Sequence, residues 1–256
     1  MREGAFMKKL IASFLVSVML LCLSACGRDA KNGNMGSKPL SDIKGDGVMS
    51  YDEYSVAGLD TDIVIETYVQ DKQIWNNGVV SVYTQDKDGA YFLYRLHCSE
   101  GDYAKLIAGQ KLKVTGIKKE MAGEAAVCDA SFSFEDGSFI AAKADATSLL
   151  GTDELIRHQN EAVSFKGLTI EGWEDGSAFY YNRDNSGQSG SNCDLYFNAS
   201  INGHSYTFVV ESSLRDQNTD VYKTVEGLKV GDIVDLEGFL YWYDGPQPHI
   251  TSVTVR

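Results

Sequence analysis

The sequence predicts an all-β fold with minor helix, built as two related five-stranded β-barrels joined by a short helical linker. Two observations predict this class. The chain contains an internal repeat, and each half consists of short alternating strands separated by glycine-containing turns. With 256 residues and 43% hydrophobic residues, the chain is long enough for one or two globular domains.

The repeat is clearest in two segments that align without gaps at an offset of 122 residues. Residues 106–116 and 228–238 both read L-x-x-G, followed by an alternating strand and a glycine. Gly123 and Gly245 continue the same offset, and each precedes a further strand, over 124–132 and 248–255. The two halves are therefore expected to share one strand order.

Each half also contains a predicted hairpin upstream of the L-x-x-G turn. Its turn is Asp88-Gly89 in the first half and Asn202-Gly203 in the second. Such dipeptides favour two-residue hairpin turns because both positions accept positive φ. The hairpin strands are predicted over 79–85 and 91–97 in the first half and over 195–201 and 205–210 in the second. One earlier strand per half is predicted over 62–69 and 163–171, and one short helix per half over 102–107 and 220–225.

The resulting order of strand, hairpin, short helix and hairpin resembles the OB-fold, a five-stranded Greek-key barrel. The resemblance covers about residues 60–140 and 162–256, and a generic β-sandwich is the alternative. Between the halves, residues 152–159 predict a short helix with Thr152 as its N-cap. The expected domains are a first OB-like unit over 50–144, a helical linker over 145–161 and a second OB-like unit over 162–256.

The N-terminus predicts export. Lys8 and Lys9 precede an apolar run over 10–23, which is too short for a membrane-spanning helix and typical of a signal peptide. The sequence Leu23-Ser24-Ala25-Cys26 resembles the lipobox of bacterial lipoproteins. The resemblance implies cleavage before Cys26 and attachment of palmitate-type acyl chains through its thiol, whereas an ordinary signal peptide would be cut after Ala25 and leave the cysteine free.

We therefore expect a signal peptide over 1–25, a flexible polar tether over 26–49 and a protein anchored by lipid to the extracytoplasmic face of the cell membrane. A lipobox followed by two OB-like repeats resembles the uncharacterised OB-fold lipoproteins of Gram-positive bacteria. That resemblance does not supply a ligand.

The charge of the chain is strongly negative. The sequence has 36 acidic and 23 basic residues, for a net charge of -13. Removal of residues 1–25 takes away Arg2, Lys8, Lys9 and Glu3 and leaves a net charge of -15. This acidity argues against nucleic acid as a partner, because nucleic-acid binding needs a positive footprint.

Catalytic and cofactor motifs are absent from the sequence, so we expect neither catalysis, a cofactor nor a structural metal. Residues 42–53 match part of the EF-hand spacing, with Asp42, Asp46 and Glu53 at ligand positions, but Lys44 takes a position that needs an oxygen. The alternative is a capped helix over 50–56. The sequence does not decide whether Cys98 and Cys128 form a disulfide.

Aromatic residues supply the ligand-binding candidates. In the stretch 239–249, alternation places Phe239, Tyr241 and Tyr243 on one side and Leu240 and Trp242 on the other. In an OB-fold this stretch leads from the fourth strand into the loop before the fifth, at an edge of the ligand face. The full set of candidates is Tyr241, Trp242, Tyr243, His249, Trp75, Tyr83 and Tyr91.

Three functions remain open at this point. The first is a tethered, non-catalytic binding module for a glycan, peptide or protein of the cell envelope. The second is an assembly lipoprotein whose aromatic stretch only packs the two repeats together. The third, by analogy with the fold alone, is binding of single-stranded nucleic acid.

Overall fold

The computed structural model describes residues 44–256, which form mostly β-structure in two sheets. The predicted all-β class is thereby confirmed. Residues 1–43 include the predicted signal peptide, Cys26, most of the predicted tether and Asp42, and they lie outside the described residues. No helix of the described part is long and apolar enough to cross a membrane.

The first half is a closed five-stranded barrel in the order β1-β2-β3-β5-β4. Strands β3 and β5 pair in parallel, with Phe92 opposite Ala126, and the other neighbours are antiparallel. This is the OB-like order that the sequence predicts for this half. Its elements are α1 (Tyr51–Val56), β1 (Asp62–Lys72), β2 (Val79–Gln85), β3 (Ala90–His97), α2 (Glu100–Lys105), β4 (Gln110–Met121) and β5 (Glu124–Ser138).

The second half is a seven-stranded sheet in the order β6-β7-β11-β12-β10-β9-β8, with an additional pairing between β7 and β9. Strands β10 and β12 pair in parallel, with Val209 opposite His249. Its elements are β6 (Ala144–Asp145), β7 (Ala162–Glu171), β8 (Phe179–Tyr181), β9 (Leu195–Ile201), β10 (His204–Val210), α3 (Asp220–Glu226), β11 (Ile233–Phe239) and β12 (His249–Val255).

The L-x-x-G repeat has the same structural role in both halves. Gly109 and Gly231 adopt φ of 88° and 94°, a conformation that favours glycine. The Gly109 N–H donates to Val69 O at 2.7 Å, and the Gly231 N–H donates to Ile170 O at 2.9 Å. Each glycine thus turns the chain from the short helix into the fourth strand and ties that turn to the first strand of its own half.

Two apolar cores follow from the alternation of the strands. Strand β1 turns Ile63, Ile65 and Val69 into the core of the first half. In the second half Phe165, Phe197 and Phe208 are fully buried, and the rings of Phe197 and Phe208 stack at 5.6 Å. Burial of such side chains stabilises each half by about 1.5–3 kcal/mol per residue.

Residues 44–49, the end of the predicted tether, contact the first half. Lys44 forms an ion pair with the buried Asp86, and the Met49 N–H donates to Val64 O at 2.8 Å. Ser50 then caps α1, accepting a hydrogen bond from the Glu53 N–H while the Glu53 carboxylate accepts one from the Ser50 N–H. The capped helix predicted as the alternative to a calcium loop is thus confirmed.

The segment between the halves differs from the predicted helical linker. It forms two short 3₁₀ turns, Thr147–Leu149 and Leu155–His158. Thr152 does not cap the second turn, because its hydroxyl donates back to Leu149 O at 2.8 Å. The two-residue strand β6 pairs in parallel with β7, so Ala144 belongs to the second sheet and not to the first half.

The two predicted hairpin turns have different geometry. Asn202 and Gly203 adopt φ of 53° and 80°, as predicted. Asp88-Gly89 does not form a turn of this kind. Here the Asp86 carboxylate accepts hydrogen bonds from the Asp88 and Gly89 N–H groups at 2.8 and 2.9 Å, and the Asp86 N–H donates to Gly89 O, so a four-residue loop replaces the two-residue turn.

Candidate ligand-binding site

The loop between β11 and β12 folds back as a tight hairpin. Trp242 bridges to Pro246, the Tyr243 N–H donates to Gly245 O at 2.8 Å, and Asp244 at the tip adopts φ of 53°. The Asp244 N–H donates to Ala122 O in the β4–β5 turn of the first half at 2.7 Å. The equivalent loops of the two repeats therefore meet, and one face of the hairpin remains free for other contacts.

That free face forms one wall of a cleft of about 690 Å³, which we call the 241–247 cleft. The hairpin contributes Trp242, Tyr243, Asp244 and Gln247 to the lining. The opposite walls come from strand β10, from the segment containing the second 3₁₀ turn and from one residue of the loop after β8; these residues include Tyr206, Thr207, Asp153, Ile156 and Arg183. The volume lies within the usual range of small-molecule sites.

The two aromatic residues of the hairpin differ in how firmly they are held. Tyr243 is 44% exposed, with the Arg183 guanidinium 5.1 Å from its ring centre. Trp242 is half-buried, packs against the core of the second half and lies against Gly123, where an added Cβ would come within 2.7 Å of the indole. Tyr243 is thus the more accessible ring, and Trp242 joins the cleft to the body of the protein.

Strand β10 and the segment between the halves come close together at the cleft, where Tyr206 lies next to Gly151. An added Cβ on Gly151 would lie 2.8 Å from the Tyr206 hydroxyl. Because Gly151 lacks a side chain and adopts φ of 80°, Tyr206 can extend over this part of the chain. The glycine therefore fixes the spacing between two walls of the cleft.

Phe239 and Tyr241 face away from the cleft, into the contact between the two halves. The Phe239 ring stacks on Tyr83 of β2 at 4.4 Å, and Tyr241 meets Phe92 edge-on at 5.5 Å. Leu240 and Trp242 pack with the core of the second half, so the predicted alternation is confirmed for residues 239–242. It ends at Tyr243, where the hairpin turns the chain towards solvent.

A buried polar network accompanies this contact. The Tyr83 hydroxyl lies 2.7 Å from His249 Nδ1, and the same nitrogen lies 3.3 Å from Glu211 Oε2. Gln73 Nε2 donates to the Glu211 carboxylate at 2.7 Å. Burial acts to raise the pKa of Glu211, but hydrogen bonds from His249, Ser213 and Gln73 outweigh it and lower that pKa. The network joins the two halves.

Glu124 occupies the other end of the contact between the halves. Its residue is fully buried at the start of β5, and its Oε2 accepts a hydrogen bond from the Trp242 N–H at 2.9 Å. Burial raises the pKa of Glu124 to about 8, against the nearby Asn160 side chain and the Trp242 N–H, which lower it. The carboxyl is therefore largely protonated at neutral pH and directly behind the cleft hairpin.

The seven predicted ligand-binding residues thus separate into different environments. Trp242 and Tyr243 line the cleft, whereas Tyr241 stacks on His249 at 4.2 Å within the contact between the halves. Tyr83, Tyr91 and His249 do not line the cleft, and all three are buried: burial strongly raises the pKa values of Tyr83 and Tyr91, and His249 is 6% exposed.

Trp75 does not join the cleft either. Its ring packs against the core of the first half, and its Nε1–H donates to Cys98 O at 2.9 Å. Cys98 is buried and, like Cys128 and Cys193, a free thiol, so the Cys98–Cys128 disulfide does not form in this structure.

Several cleft residues have no distinguishing pattern in the sequence. Tyr206, Asp153 and Arg183 lie far apart along the chain, and each is unremarkable in its local pattern. Gly151 is the exception, because a glycine between an apolar stretch and a polar segment indicates a turn. Its position next to Tyr206 is visible only in the fold. Within residues 44–256, no group of three or more His, Cys, Asp or Glu residues could hold a metal ion.

Comparison with known proteins gives no family. No family model and no curated protein matches the chain. Among solved structures, the chain is similar to the p204 HINb domain at 11% identity and a TM-score of 0.34, covering 77% of this chain and 98% of that one.

Two further similar structures are DNA complexes. A murine DNA-binding protein bound to double-stranded DNA matches at 9% identity and a TM-score of 0.34, over 75% of this chain and 97% of that one. A replication protein A heterotrimer bound to single-stranded DNA matches at 9% identity and a TM-score of 0.32, over 76% and 49%. These TM-scores are too low to assign a function to this chain.

Proposed function

We propose that this protein is a non-catalytic binding module, anchored by lipid on Cys26 at the extracytoplasmic face of the cell membrane, whose ligand occupies the 241–247 cleft. The observation that carries the proposal is the cleft itself. It combines an exposed tyrosine, a half-buried tryptophan and polar side chains in a volume of about 690 Å³.

The position of the cleft supports this reading. Strands β7, β9, β10, β12 and β11 pair in the same cyclic order as β1, β2, β3, β5 and β4, and we propose that they form a second OB-like barrel. In that barrel the cleft hairpin is the loop between the fourth and fifth strands. OB-folds bind oligosaccharides and oligonucleotides at this loop and its neighbours.

Binding of single-stranded nucleic acid is the second candidate function. The same loop position favours it, and exposed aromatic rings such as Tyr243 can stack on bases. An assembly role without a small ligand is favoured only by the other face of the stretch, where Phe239 and Tyr241 are used in packing. Neither alternative uses the polar residues of the cleft.

Hydrogen exchange of the full chain, measured with neutral oligosaccharides, short peptides and oligodeoxythymidine in turn, tests the ligand site. We expect the probe that binds to slow exchange in residues 240–247 and 151–156, because these segments form facing walls of the cleft. Strand β4 of the first half serves as the internal control and should not change. Protection confined to residues outside the cleft would contradict the proposed site.

Replacement of Cys26 by alanine is expected to release the protein from membranes and to prevent labelling with radioactive palmitate. Two acyl chains give stable attachment, and the predicted tether has no other apolar anchor. Fractionation of cells that express each variant measures the effect. Cys22→Ala is the matched control, since Cys22 lies in the apolar run of the predicted signal peptide and should leave both properties intact. A Cys26→Ala protein that remains labelled and membrane-bound would rule out this anchor.

A further inference from the structure

We infer that the ligand of the 241–247 cleft is an uncharged oligosaccharide, an inference that rests on the proposed function and assigns its ligand class. The charge of the lining, the free hydrogen-bonding groups on it and the arrangement of its aromatic rings favour such a ligand.

The charge of the lining opposes a phosphate chain. The cleft carries the carboxylates of Asp153 and Asp244 and a single cation, Arg183, whose guanidinium lies over the Tyr243 ring. Both acids are exposed, and among the described residues neither carboxylate has an ion-pair partner. A nucleic-acid strand would bring its phosphates next to these two negative charges, whereas a neutral ligand meets no such repulsion.

The polar groups of the lining suit hydroxyl groups. Within residues 44–256, the side chains of Asp153, Asp244 and Gln247 make no hydrogen bond to the protein, so their oxygens and the Gln247 amide are available. A carboxylate has two acceptor oxygens, and an amide has both acceptors and donors. Adjacent hydroxyls of a sugar ring are donors and acceptors at a similar spacing, which this set can bind without a charge on the ligand.

The aromatic rings supply the apolar part of the site. Tyr243 and Trp242 come from the hairpin, and Tyr206 comes from strand β10 on another wall. The face of an aromatic ring is negative and attracts the weakly positive C–H groups on the flat side of a pyranose. Rings beside free carboxylates and an amide therefore match a ligand that alternates C–H faces with hydroxyl edges.

A peptide fits the cleft less well. Peptides that add to a sheet need an open strand edge, and the two edge strands of the second sheet, β6 and β8, have only two and three residues. The cleft hairpin is closed on itself by the Trp242–Pro246 bridge and is tied to Ala122 at its tip. The cleft thus offers side chains rather than a row of free backbone groups.

The test is calorimetric titration of the full chain in a detergent without a sugar headgroup. The probes are neutral oligosaccharides of glucose, N-acetylglucosamine, mannose and galactose, with oligodeoxythymidine as the charged comparison. We expect one oligosaccharide to bind with an affinity that does not change between about 50 and 200 mM salt, the range over which nucleic-acid binding weakens strongly.

Three variants complete the test. Tyr243→Ala should weaken oligosaccharide binding about tenfold and leave the melting temperature nearly unchanged, because this side chain is 44% exposed. The double variant Asp153→Asn with Asp244→Asn should weaken it several-fold without creating an oligonucleotide site. Tyr180→Ala, in which the lost ring stacks on Trp173 outside the cleft, is the matched control and should bind as the parent does.

The outcomes distinguish the ligand class from the site. Binding of oligodeoxythymidine that is lost in Tyr243→Ala overturns the oligosaccharide assignment and leaves the cleft as the binding site. Oligosaccharide binding that is unaffected by Tyr243→Ala and by the double variant overturns both. If no oligosaccharide binds, the oligosaccharide assignment is also overturned. The hydrogen-exchange experiment with peptides then decides whether the cleft is a binding site.

Discussion

Replacement of Glu124 by glutamine is expected to increase the free energy of unfolding by about 3–5 kcal/mol at alkaline pH and to change it little at about pH 5. Glu124 is fully buried, and burial raises its pKa to about 8 from an ordinary value of 4.5. Its Oε1 and the Asn160 Oδ1 have no hydrogen-bond partner in the described structure. A protonated carboxyl carries a donor hydrogen that the buried carboxylate lacks.

The sign of the effect follows from the two pKa values of the carboxyl. Between about pH 4.5 and 8 the folded protein holds a proton on Glu124 that the unfolded chain has released. The contribution of this group to stability is therefore greatest below pH 4.5 and is lost as the pH rises through 8. A glutamine keeps the acceptor for the Trp242 N–H and always carries donor hydrogens, so it removes this dependence.

Urea unfolding of the parent and of Glu124→Gln, at several pH values from about 5 to 9, measures the difference between the two curves. Glu120→Gln is the matched control, because Glu120 lies on the neighbouring strand β4 and is exposed. Its curve should run parallel to that of the parent. If the Glu124→Gln curve is also parallel to the parent over this range, Glu124 ionises in the folded protein as it does in the unfolded chain, and the raised pKa is wrong.

The sequence predicts the fold well where local chemistry and the repeat agree. Strands 79–85 and 195–201 match the structure at both ends, because alternation, glycine turns and the 122-residue offset give independent signals there. The linker is less predictable from the sequence. Residues 152–159 contain good helix formers, but Leu155 is drawn into the core of the second half, and the chain forms a 3₁₀ turn instead.

The candidate site is only partly predictable for a different reason. Alternation correctly separates Tyr241 from Trp242, but it cannot show which of the two sides faces the other half of the protein. Tyr83 and Tyr91 are aromatic residues of a type that often binds ligands, but both are buried. Tyr83 packs against Phe239 and Tyr91 against Tyr54, and the local sequence does not indicate either contact. Tyr243 is accessible because a turn interrupts the strand.

Replacement of Gly238 by alanine is expected to lower the free energy of unfolding by about 3 kcal/mol or more. Gly238 lies at a bulge where β11 pairs with β12, and an added Cβ would come within 2.0 Å of His249 O and 2.9 Å of Ile250 Cα. Since both atoms belong to the backbone of the neighbouring strand, relief requires the strands to separate. The equivalent Gly116→Ala should cost less, because its added Cβ would meet the nearest backbone atom, Cys128 O, at 2.9 Å rather than at 2.0 Å.

The same displacement would act on the contact between the two halves. His249 follows the loop directly, and its ring lies against Tyr83 and Tyr241, so a shift of its backbone disturbs the hydrogen bond to the Tyr83 hydroxyl. Urea unfolding measures the loss, with Gly227→Ala as control: Gly227 has negative φ, and its added Cβ would meet its nearest atom at 3.4 Å. We expect that control to remain within about 1 kcal/mol of the parent. If Gly238→Ala is as stable as Gly227→Ala, the two strands do not approach this closely, and the repeated glycine at 116 and 238 needs another explanation.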